Sequence, residues 1–255
     1  MKKLILLFSG GSDSTVILHK ATEQFDEIHT LIFDYDQRHK QEIYCAYDQL
    51  IDIKKRYPNK LITHKVIDVS YIKDIAPTSS LTNDSIATPD VHTIRGEAQP
   101  ASYVPFRNMM FLSIAASYAE AQDAKTIWYG AAQADSLAGY WDGSPEFLES
   151  INNCIMLNRE HKIEIVAPLI NMSKKDIVLE GIRLQVDFSK TLTCYSGEEL
   201  ADVNSASSSL RLQGFIQAGF IDPLEYKQQE KLNTIYKSNK CKRIPYIEYP
   251  KSITD

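Results

Sequence analysis

The 255-residue sequence predicts an α/β fold with an open, mostly parallel sheet and helices on both of its faces. Three observations support this prediction. Short apolar segments alternate with longer segments of helical periodicity, which is the pattern of βαβ units. A glycine-rich turn directly follows the first apolar segment. Polar residues follow other apolar segments, at the position where parallel sheets bind ligands.

The elements are assigned in chain order from apolar periodicity and capping residues. Strands are predicted at residues 4–8, 28–33, 61–69, 126–132 and 163–170. Helices are predicted at residues 14–22, 39–55, 107–120, 145–157 and 174–184. Ser173 is the predicted N-cap of the last helix. From 72 to 103 the chain is rich in Pro, Thr, Ser and Asp without a clear period, which is typical of a functional or mobile segment.

The alternation of strands and helices ends near residue 190, which predicts two regions. Residues 1–190 are the predicted α/β domain, whose strand ends carry the polar segments. Residues 191–255 are predicted to form a smaller, helical appendage with a serine-rich loop at 204–209. A chain of this length accommodates one large domain with such an appendage.

The composition argues against several classes of function. A formal net charge of −5 disfavours non-specific binding of nucleic acid, because phosphate contacts require clustered Lys and Arg residues. The C-terminal stretch is locally basic, and a solvated surface is the usual explanation of such a run. No apolar segment approaches the roughly 18 residues of a membrane span, and the N-terminal run is too short for a signal peptide. The dispersed cysteines favour free thiols in a reducing cytoplasm.

The turn after the first strand has the composition of a phosphate-binding loop. Its residues are Ser9, Gly10, Gly11, Ser12, Asp13, Ser14 and Thr15. The glycines let main-chain N–H groups approach an anion, and the following helix adds its positive end. The hydroxyls can donate hydrogen bonds, and Asp13 can hold Mg²⁺ or cap the helix. The alternative explanation is an ordinary tight turn between a strand and a capped helix.

This loop resembles the SGGxDS signature of the PP-loop ATP pyrophosphatases. Like that signature, it lacks the lysine of a Walker loop. Members of the superfamily split ATP between its α- and β-phosphates and adenylate an acyl or carbonyl oxygen. The resemblance therefore implies ATP and Mg²⁺ as cofactors and a loop that holds the leaving pyrophosphate.

Further segments resemble, in the same order, those of the 7-cyano-7-deazaguanine synthase family of queuosine biosynthesis. They are FDYDQRH at 33–39, SLTNDSI at 80–86, VPFRN at 104–108, DSLAGYWDGSPEF at 135–147, PLI with SK at 168–174, TCY at 193–195 and LR at 210–211. The resemblance implies an enzyme that joins ammonia to 7-carboxy-7-deazaguanine and dehydrates the amide to a nitrile, with two molecules of ATP.

The resemblance implies three groups of site residues. Those that would contact the nucleotide are Ser9, Gly10, Gly11, Ser12, Asp13, Ser14, Thr15, Phe33 and Asp34. Those with a catalytic role would be Asp13, His39, Arg107 and Lys174. Those that would contact the substrate are Gln37, Arg38, Asp135, Tyr140 and Asp142.

Each role has a chemical reason and an ordinary alternative. Arg107 and Lys174 are cations that can reach phosphates, although both also suit the start of a helix. His39 changes charge near neutral pH and could move protons, or it could be a hydrogen-bonded surface residue. Asp135 and Asp142 only accept hydrogen bonds when ionised, so they could bind the N–H groups of a guanine-like base. As loop carboxylates they could equally be structural.

The sequence departs from the family pattern at several positions. Of the four cysteines that bind structural zinc in the family, this chain keeps Cys194 and has Asp202, Ser205 and Ser208 at the others. One thiolate cannot form a tetrahedral zinc site, so no structural zinc is expected. Phe106 and Asp36 replace glycines, and Gly143 with Ser144 replaces a Cys-Arg pair, close to the predicted site.

These departures leave two alternative functions open. The enzyme could stop at the amide, or transfer the adenylated deazaguanine to another amine in a defence or DNA-modification pathway. Alternatively, the chain could be a non-catalytic, nucleotide-binding interaction protein. For the enzyme, the implied partners are the small-molecule substrates, with a homodimer or a pathway partner protein in addition, and no membrane.

Overall fold

The computed structural model describes residues 1–36, 41–83, 85–87, 99–191 and 200–254, without the side chains of residues 41 and 42. Its described strands form one parallel sheet in the order β3-β2-β1-β4-β5. They are β1 (Lys3–Leu7), β2 (Glu27–Asp34), β3 (Leu61–Asp68), β4 (Thr126–Trp128) and β5 (Glu164–Val166).

The helices of the described residues follow the strands and fill the C-terminal part of the chain. They are α1 (Ser12–Gln24), α2 (Gln41–Arg56), α3 (Ile72–Ile75), α4 (Arg107–Ala121), α5 (Gln133–Leu137), α6 (Pro145–Ile155), α7 (Lys174–Arg183), α8 (Ala206–Ala218) and α9 (Gln229–Ser238). Among all of the described residues, no helix has the length and apolar character needed to cross a membrane.

The sheet is covered on both faces because its central strands are apolar on both sides. Leu4 and Leu6 of β1 pack with residues of α1, α2 and α7. Ile5, whose side chain points the other way, packs with residues of α4 and α6. β3 lies at the edge and keeps much of its surface exposed. The arrangement confirms the predicted class, an open parallel sheet between two layers of helices.

The starts of α6 and α7 lie where the sequence predicts them. Ser173 is the N-cap of α7, as predicted: its Oγ accepts a hydrogen bond from the backbone N–H of Asp176 at 3.3 Å. The Asp176 carboxylate accepts the Ser173 N–H in return, at 3.0 Å, which completes a capping box. Ser144 caps α6 in a similar way, with Pro145 at the first helical position.

The predicted strands β4 and β5 were too long. β4 ends at Trp128 rather than at residue 132, and β5 covers only Glu164–Val166. One isolated bridge, from Ala132 to Leu169, continues the pairing beyond both strands. Between these points on the β4 side, Tyr129, Gly130 and Ala131 line a cavity. The predictions for residues 84 and 88–98 lie outside the described residues.

The C-terminal region contributes to the core of the sheet domain. Phe215 of α8 is fully buried and packs edge-on against Phe188, with 5.1 Å between the ring centroids. Arg211 forms a buried ion pair with Asp222, at 2.7 Å from Nε to Oδ2, and also donates to the carbonyl oxygens of Phe188 and Thr191. These contacts tie α8 to the segment that follows α7. The division at residue 190 stays a prediction.

Close approach of α8 to α7 depends on a glycine. A Cβ atom added at Gly214 would lie 2.9 Å from the Lys174 Cβ and 3.0 Å from the Lys174 carbonyl oxygen. Any side chain at this position would push the two helices apart. Gly214 therefore fixes where α7 begins relative to α8.

The buried His19 on α1 makes stability depend on pH. Its side chain is 6% exposed, and burial together with the nearby Arg56 lowers its pKa to about 4 from an ordinary value of 6.5. The unfolded chain therefore takes up a proton near pH 6.5, whereas the folded chain does so only near pH 4. The contribution is complete above pH 6.5 and is lost as the pH falls toward 4.

We expect His19→Gln to remove this dependence. Between pH 7.5 and pH 5, the wild-type protein should lose about 2 kcal/mol more of its free energy of unfolding than the variant, measured by urea denaturation. Equal losses in the two proteins would show that His19 does not carry the effect.

Candidate active site

A cavity of about 320 Å³ lies at the carboxyl ends of β1, β2 and β4. Parallel strands that end together leave their last backbone groups and the following side chains facing one crevice, which is where such sheets bind ligands. The loop after β1, the starts of α4 and α7, and the segment 129–143 line the cavity. Ala206, Ser207 and Leu210 of α8 also reach it.

The loop after β1 is shaped by its first glycine and by its own hydroxyl groups. Gly10 has a φ of 82°, in the left-handed region that favours glycine. The hydroxyls of Ser14 and Thr15 both donate to the Gly11 carbonyl oxygen, at 3.1 and 2.9 Å. The Ser9 Oγ lies 3.1 Å from that of Ser14. The loop therefore turns directly into α1, whose N-terminus faces the cavity.

Lys174 and Asp13 form an ion pair on the cavity wall. Both side chains are about one-fifth exposed, and a second carboxylate, that of Asp135, acts on Lys174 as well. Burial disfavours the ammonium, but the two carboxylates outweigh that effect and raise the pKa of Lys174. Lys174 therefore carries its charge at neutral pH. A charged lysine in the wall of a cavity is suited to bind an anion.

Asp135 and Asp142 are two further carboxyl groups that line the cavity. Asp135 accepts the backbone N–H of Ala132 at 2.8 Å and so holds the start of α5. Asp142 is 2% exposed. Burial raises the pKa of both carboxyl groups, and a nearby cation opposes the rise in each case: Lys174 for Asp135 and Arg107 for Asp142.

Arg107 begins α4 and lines the cavity beside a group of aromatic rings. Its guanidinium lies 5.7 Å from the centroid of the Tyr35 ring and 6.0 Å from that of Phe111, which is within the range of cation–π attraction. Nη1 donates to the Tyr35 hydroxyl at 3.4 Å. These contacts hold the guanidinium beside the aromatic rings of the cavity wall.

Tyr140 is fixed by its hydroxyl, which lies 2.6 Å from the Ser102 Oγ. The neighbouring Trp141 donates from Nε1 to the Tyr103 hydroxyl at 2.8 Å. The Phe106 N–H donates to the same hydroxyl at 3.0 Å. These bonds connect the segment before α4 to the segment before α6, so two walls of the cavity are held together.

The structure brings together most of the predicted site residues that it describes. The predicted residues that line the cavity are Ser9, Gly11, Ser12, Asp13, Ser14, Phe33, Arg107, Asp135, Tyr140, Asp142 and Lys174. Gly10 and Thr15 shape the loop instead. Asp34 is not among the residues that line the cavity, and its Oδ1 accepts the Asp36 N–H at 3.0 Å. Gln37, Arg38 and His39 lie outside the described residues.

Sequence reasoning did not single out several residues of the cavity wall. They are Tyr35, Ser102, Asn108, Phe111 and Tyr129. Tyr35 and Asn108 belong to the family-like segments, so the resemblance could have identified them. Tyr129 was assigned to the interior of a strand, and no local signal distinguishes its role from that of a core residue.

Both positions where the family pattern has glycine have a left-handed backbone. Asp36 has a φ of 55° and Phe106 a φ of 54°. Residues other than glycine rarely adopt such positive φ angles. Lys73 forms an ion pair with Asp36 at 2.9 Å. The Phe106 ring is 56% exposed and packs edge-on against Trp141, with 5.5 Å between centroids. Both positions thus have the backbone conformation that favours glycine, although this chain has Asp36 and Phe106 there.

The side chains at the family's zinc positions do not suit zinc. The Ser205 Oγ is the N-cap of α8 and accepts the Ser208 N–H at 3.3 Å. One Asp202 carboxylate oxygen accepts hydrogen bonds from the Asn204 N–H, at 2.9 Å, and from Gln228, at 3.1 Å. Over the described parts of the chain, no three His, Cys, Asp or Glu side chains are grouped as a metal site. Cys194 lies outside those parts.

The chain was compared with known protein families and with curated proteins. A family model described as queuosine biosynthesis protein QueC matches residues 3–219. The 7-cyano-7-deazaguanine synthase of Clostridium kluyveri is 39% identical over 236 residues, which are 90% of this chain and 100% of that protein. The synthase of Pseudoalteromonas atlantica is 37% identical over 89% of this chain and 100% of that protein. The synthase of Methanoregula boonei is 38% identical over 88% and 99%.

Because the backbone at Phe106 is left-handed, two variants that remove its ring should differ in stability. Phe106→Gly and Phe106→Ala both remove the ring, but only alanine keeps a Cβ in the strained conformation. We expect the glycine variant to be the more stable by about 0.5–1 kcal/mol in urea denaturation, since the relief of strain exceeds the entropy that glycine adds to the unfolded chain. A more stable alanine variant would mean that the left-handed conformation is not kept.

Proposed function

The chain belongs to the QueC family of queuosine biosynthesis proteins, and on that premise we propose that it converts 7-carboxy-7-deazaguanine and ammonia into 7-cyano-7-deazaguanine at the expense of ATP. The observation that carries the proposal is one cavity that is lined by the SGGSDS loop, by Lys174 and by the carboxyl groups of Asp135 and Asp142. Such a cavity has one part suited to phosphates and another suited to the N–H groups of a base.

The reaction consists of two activations of an oxygen. In the first, a carboxylate oxygen of the substrate attacks the α-phosphorus of ATP, pyrophosphate leaves, and ammonia then displaces AMP to give the amide. In the second, the amide oxygen is adenylated in the same way and departs with AMP as the nitrogen loses its two protons. Both activations release negative charge on pyrophosphate, so they can share one set of binding groups.

The pyrophosphate group faces the loop and the start of α1. Backbone N–H groups at this helix end and the Ser9 and Ser12 side chains are its donors. Lys174 supplies a full positive charge, which the two carboxylates keep protonated. Asp13 is a carboxylate on the same wall and fits Mg²⁺, which when bound offsets phosphate charge.

The substrate lies toward Asp135 and Asp142. A guanine-like base presents a ring N–H and an exocyclic amine, and carboxylate oxygens accept hydrogen bonds from both. Arg107 remains charged at any physiological pH and lies beside Asp142, where it stabilises the charge that develops on the adenylated oxygen. Burial of these groups keeps water away from the reactive acyl-adenylate.

The family relationship favours this synthase over the two alternatives. Termination at the amide, or transfer to another amine, was suggested by Phe106 and by the loss of a Cys-Arg pair at Gly143 and Ser144. The relatives named above are called 7-cyano-7-deazaguanine synthases, and the similarity to this chain extends over almost the full length of each of them. We propose a cytoplasmic location, because ATP is supplied there. A homodimer or a partner protein stays a prediction.

We also propose that no structural zinc is needed. Ser205 is the N-cap of α8, and the Asp202 carboxylate accepts hydrogen bonds from Asn204 and Gln228, so ordinary polar contacts hold the start of α8. These contacts would replace the metal as the restraint on this region.

Lys174→Met tests the phosphate role. With ATP, Mg²⁺, ammonium and 7-carboxy-7-deazaguanine, we expect the wild-type protein to release AMP and form the nitrile, as measured by mass spectrometry. The variant should lose at least 100-fold in kcat/KM, because a positive charge next to the leaving pyrophosphate is removed. Lys175→Met is the matched control, since Lys175 is the exposed neighbour on the same helix and should tolerate the change.

The outcomes separate the alternatives. Amide without nitrile, or AMP only when a different amine is added, would support the redirected enzyme. ATP binding without any AMP would support the interaction protein. Equal losses in the two lysine variants would contradict a specific role of Lys174.

Chelation tests the absence of zinc. We expect prolonged treatment with EDTA to leave the melting temperature of the protein unchanged, whereas Ser205→Ala should cost about 1 kcal/mol of stability through loss of the N-cap. A fall in melting temperature on chelation, restored by added zinc, would show that a metal supports this region after all.

A further inference from the structure

Tyr129 lines the cavity, and its buried hydroxyl group has no hydrogen-bond partner among the described residues. The residue directly follows β4, and its backbone N–H donates to the Val166 carbonyl oxygen at 3.1 Å, so its position is fixed by the sheet. The side chain is 3% exposed and lines the cavity. Among the described residues, no group forms a hydrogen bond with its hydroxyl.

A buried hydroxyl without a partner is unusual, because leaving it unsatisfied costs about 1–3 kcal/mol. The other tyrosines of the cavity wall differ in this respect. The Tyr140 hydroxyl is paired with Ser102, and the Tyr35 hydroxyl accepts from Arg107. The Tyr236 hydroxyl also lacks a partner, but Tyr236 belongs to the C-terminal cluster, whereas Tyr129 lines the cavity. It is this position that makes a ligand the natural partner of the Tyr129 hydroxyl.

The surroundings of Tyr129 determine which kind of partner it can have. Burial, together with the negative charges of Asp142 and Asp135, raises the pKa of Tyr129 well above its ordinary value. The hydroxyl keeps its proton at any physiological pH and is available as a donor. Its neighbours Asp135 and Asp142 accept hydrogen bonds when ionised.

This combination complements one edge of a guanine-like ring. That edge presents two donors, the ring N–H and the exocyclic amine, and one acceptor, the carbonyl oxygen. The two carboxylates suit the donors but would repel the carbonyl oxygen. A neutral hydroxyl among them supplies the donor that the carbonyl requires.

We propose that the Tyr129 hydroxyl donates a hydrogen bond to the ring carbonyl oxygen of the deazaguanine substrate and so selects a guanine-like base. The inference rests on the proposed function and adds a substrate-binding residue to it. Tyr129 takes no part in the adenylation itself, so its removal affects binding of the base and not of ATP.

Tyr129→Phe tests the inference, since it removes one oxygen and preserves the buried ring. We expect the KM for 7-carboxy-7-deazaguanine to rise about 5- to 10-fold, the size expected for one neutral hydrogen bond, with the KM for ATP unchanged. Tyr236→Phe is the control, because Tyr236 is also fully buried but belongs to the C-terminal cluster away from the cavity. It should leave both KM values unchanged.

A second substrate identifies the atom involved. In the 6-thio analogue, sulfur replaces the carbonyl oxygen and accepts hydrogen bonds more weakly, while the ring N–H is kept. The wild-type protein should prefer the oxo substrate several-fold in kcat/KM, and Tyr129→Phe should lose most of that preference. A purely structural role for Tyr129 would lower activity on both substrates equally.

The possible failures are distinct. If the wild-type protein turns over the acid but Tyr129→Phe keeps its preference for the oxo substrate, the inference is overturned and the proposed function stands. A rise in the KM for ATP would assign the hydroxyl to the nucleotide and also overturn the inference. If the wild-type protein releases no AMP with this acid, the proposed function fails and the inference fails with it.

Discussion

The partly buried charge of Lys174 is the constraint on which the site depends. An ammonium group in the cavity wall is stabilised by the carboxylates of Asp13 and Asp135. These three residues come from the starts of α7, α1 and α5, so both carboxylates reach the ammonium only when all three helix ends meet at the carboxyl edge of the sheet. The parallel order of the strands brings them there. The capping box at Ser173 and the glycine at Gly214 then hold the start of α7 in place.

The residues around the cavity offer two kinds of chemistry. The positive end of α1 and the Lys174 ammonium favour phosphate groups. Burial raises the pKa of Asp135 and of Asp142, and a cation opposes the rise in each case, Lys174 for Asp135 and Arg107 for Asp142. A molecule that carries both phosphates and N–H donors meets complementary groups of both kinds. The proposed transfer of an adenylyl group from ATP to the substrate relies on both.

The sequence was sufficient to predict the fold class, the N-cap of α7 and most of the charged residues that line the cavity. Residues such as Asp13 and Lys174 were identifiable because they follow a strand or a cap, where local signals and the family-like segments coincide. Tyr129 could not be found in this way, since a residue at the end of a buried strand looks the same in sequence whether it faces the core or a cavity. Gly214 was missed because its importance comes from a contact with Lys174, 40 residues away in sequence. The strain at Phe106 depends on a backbone angle that its neighbours impose.

Exchange of labelled pyrophosphate into ATP would test most directly whether this cavity adenylates a carboxylate. The experiment omits ammonia, so that the acyl-adenylate can only return to ATP and the free acid. If the cavity adenylates a carboxylate, we expect the wild-type protein to catalyse this exchange only when 7-carboxy-7-deazaguanine is added. Exchange that proceeds equally well without the acid, or no exchange when the acid and ATP are both bound, would contradict it.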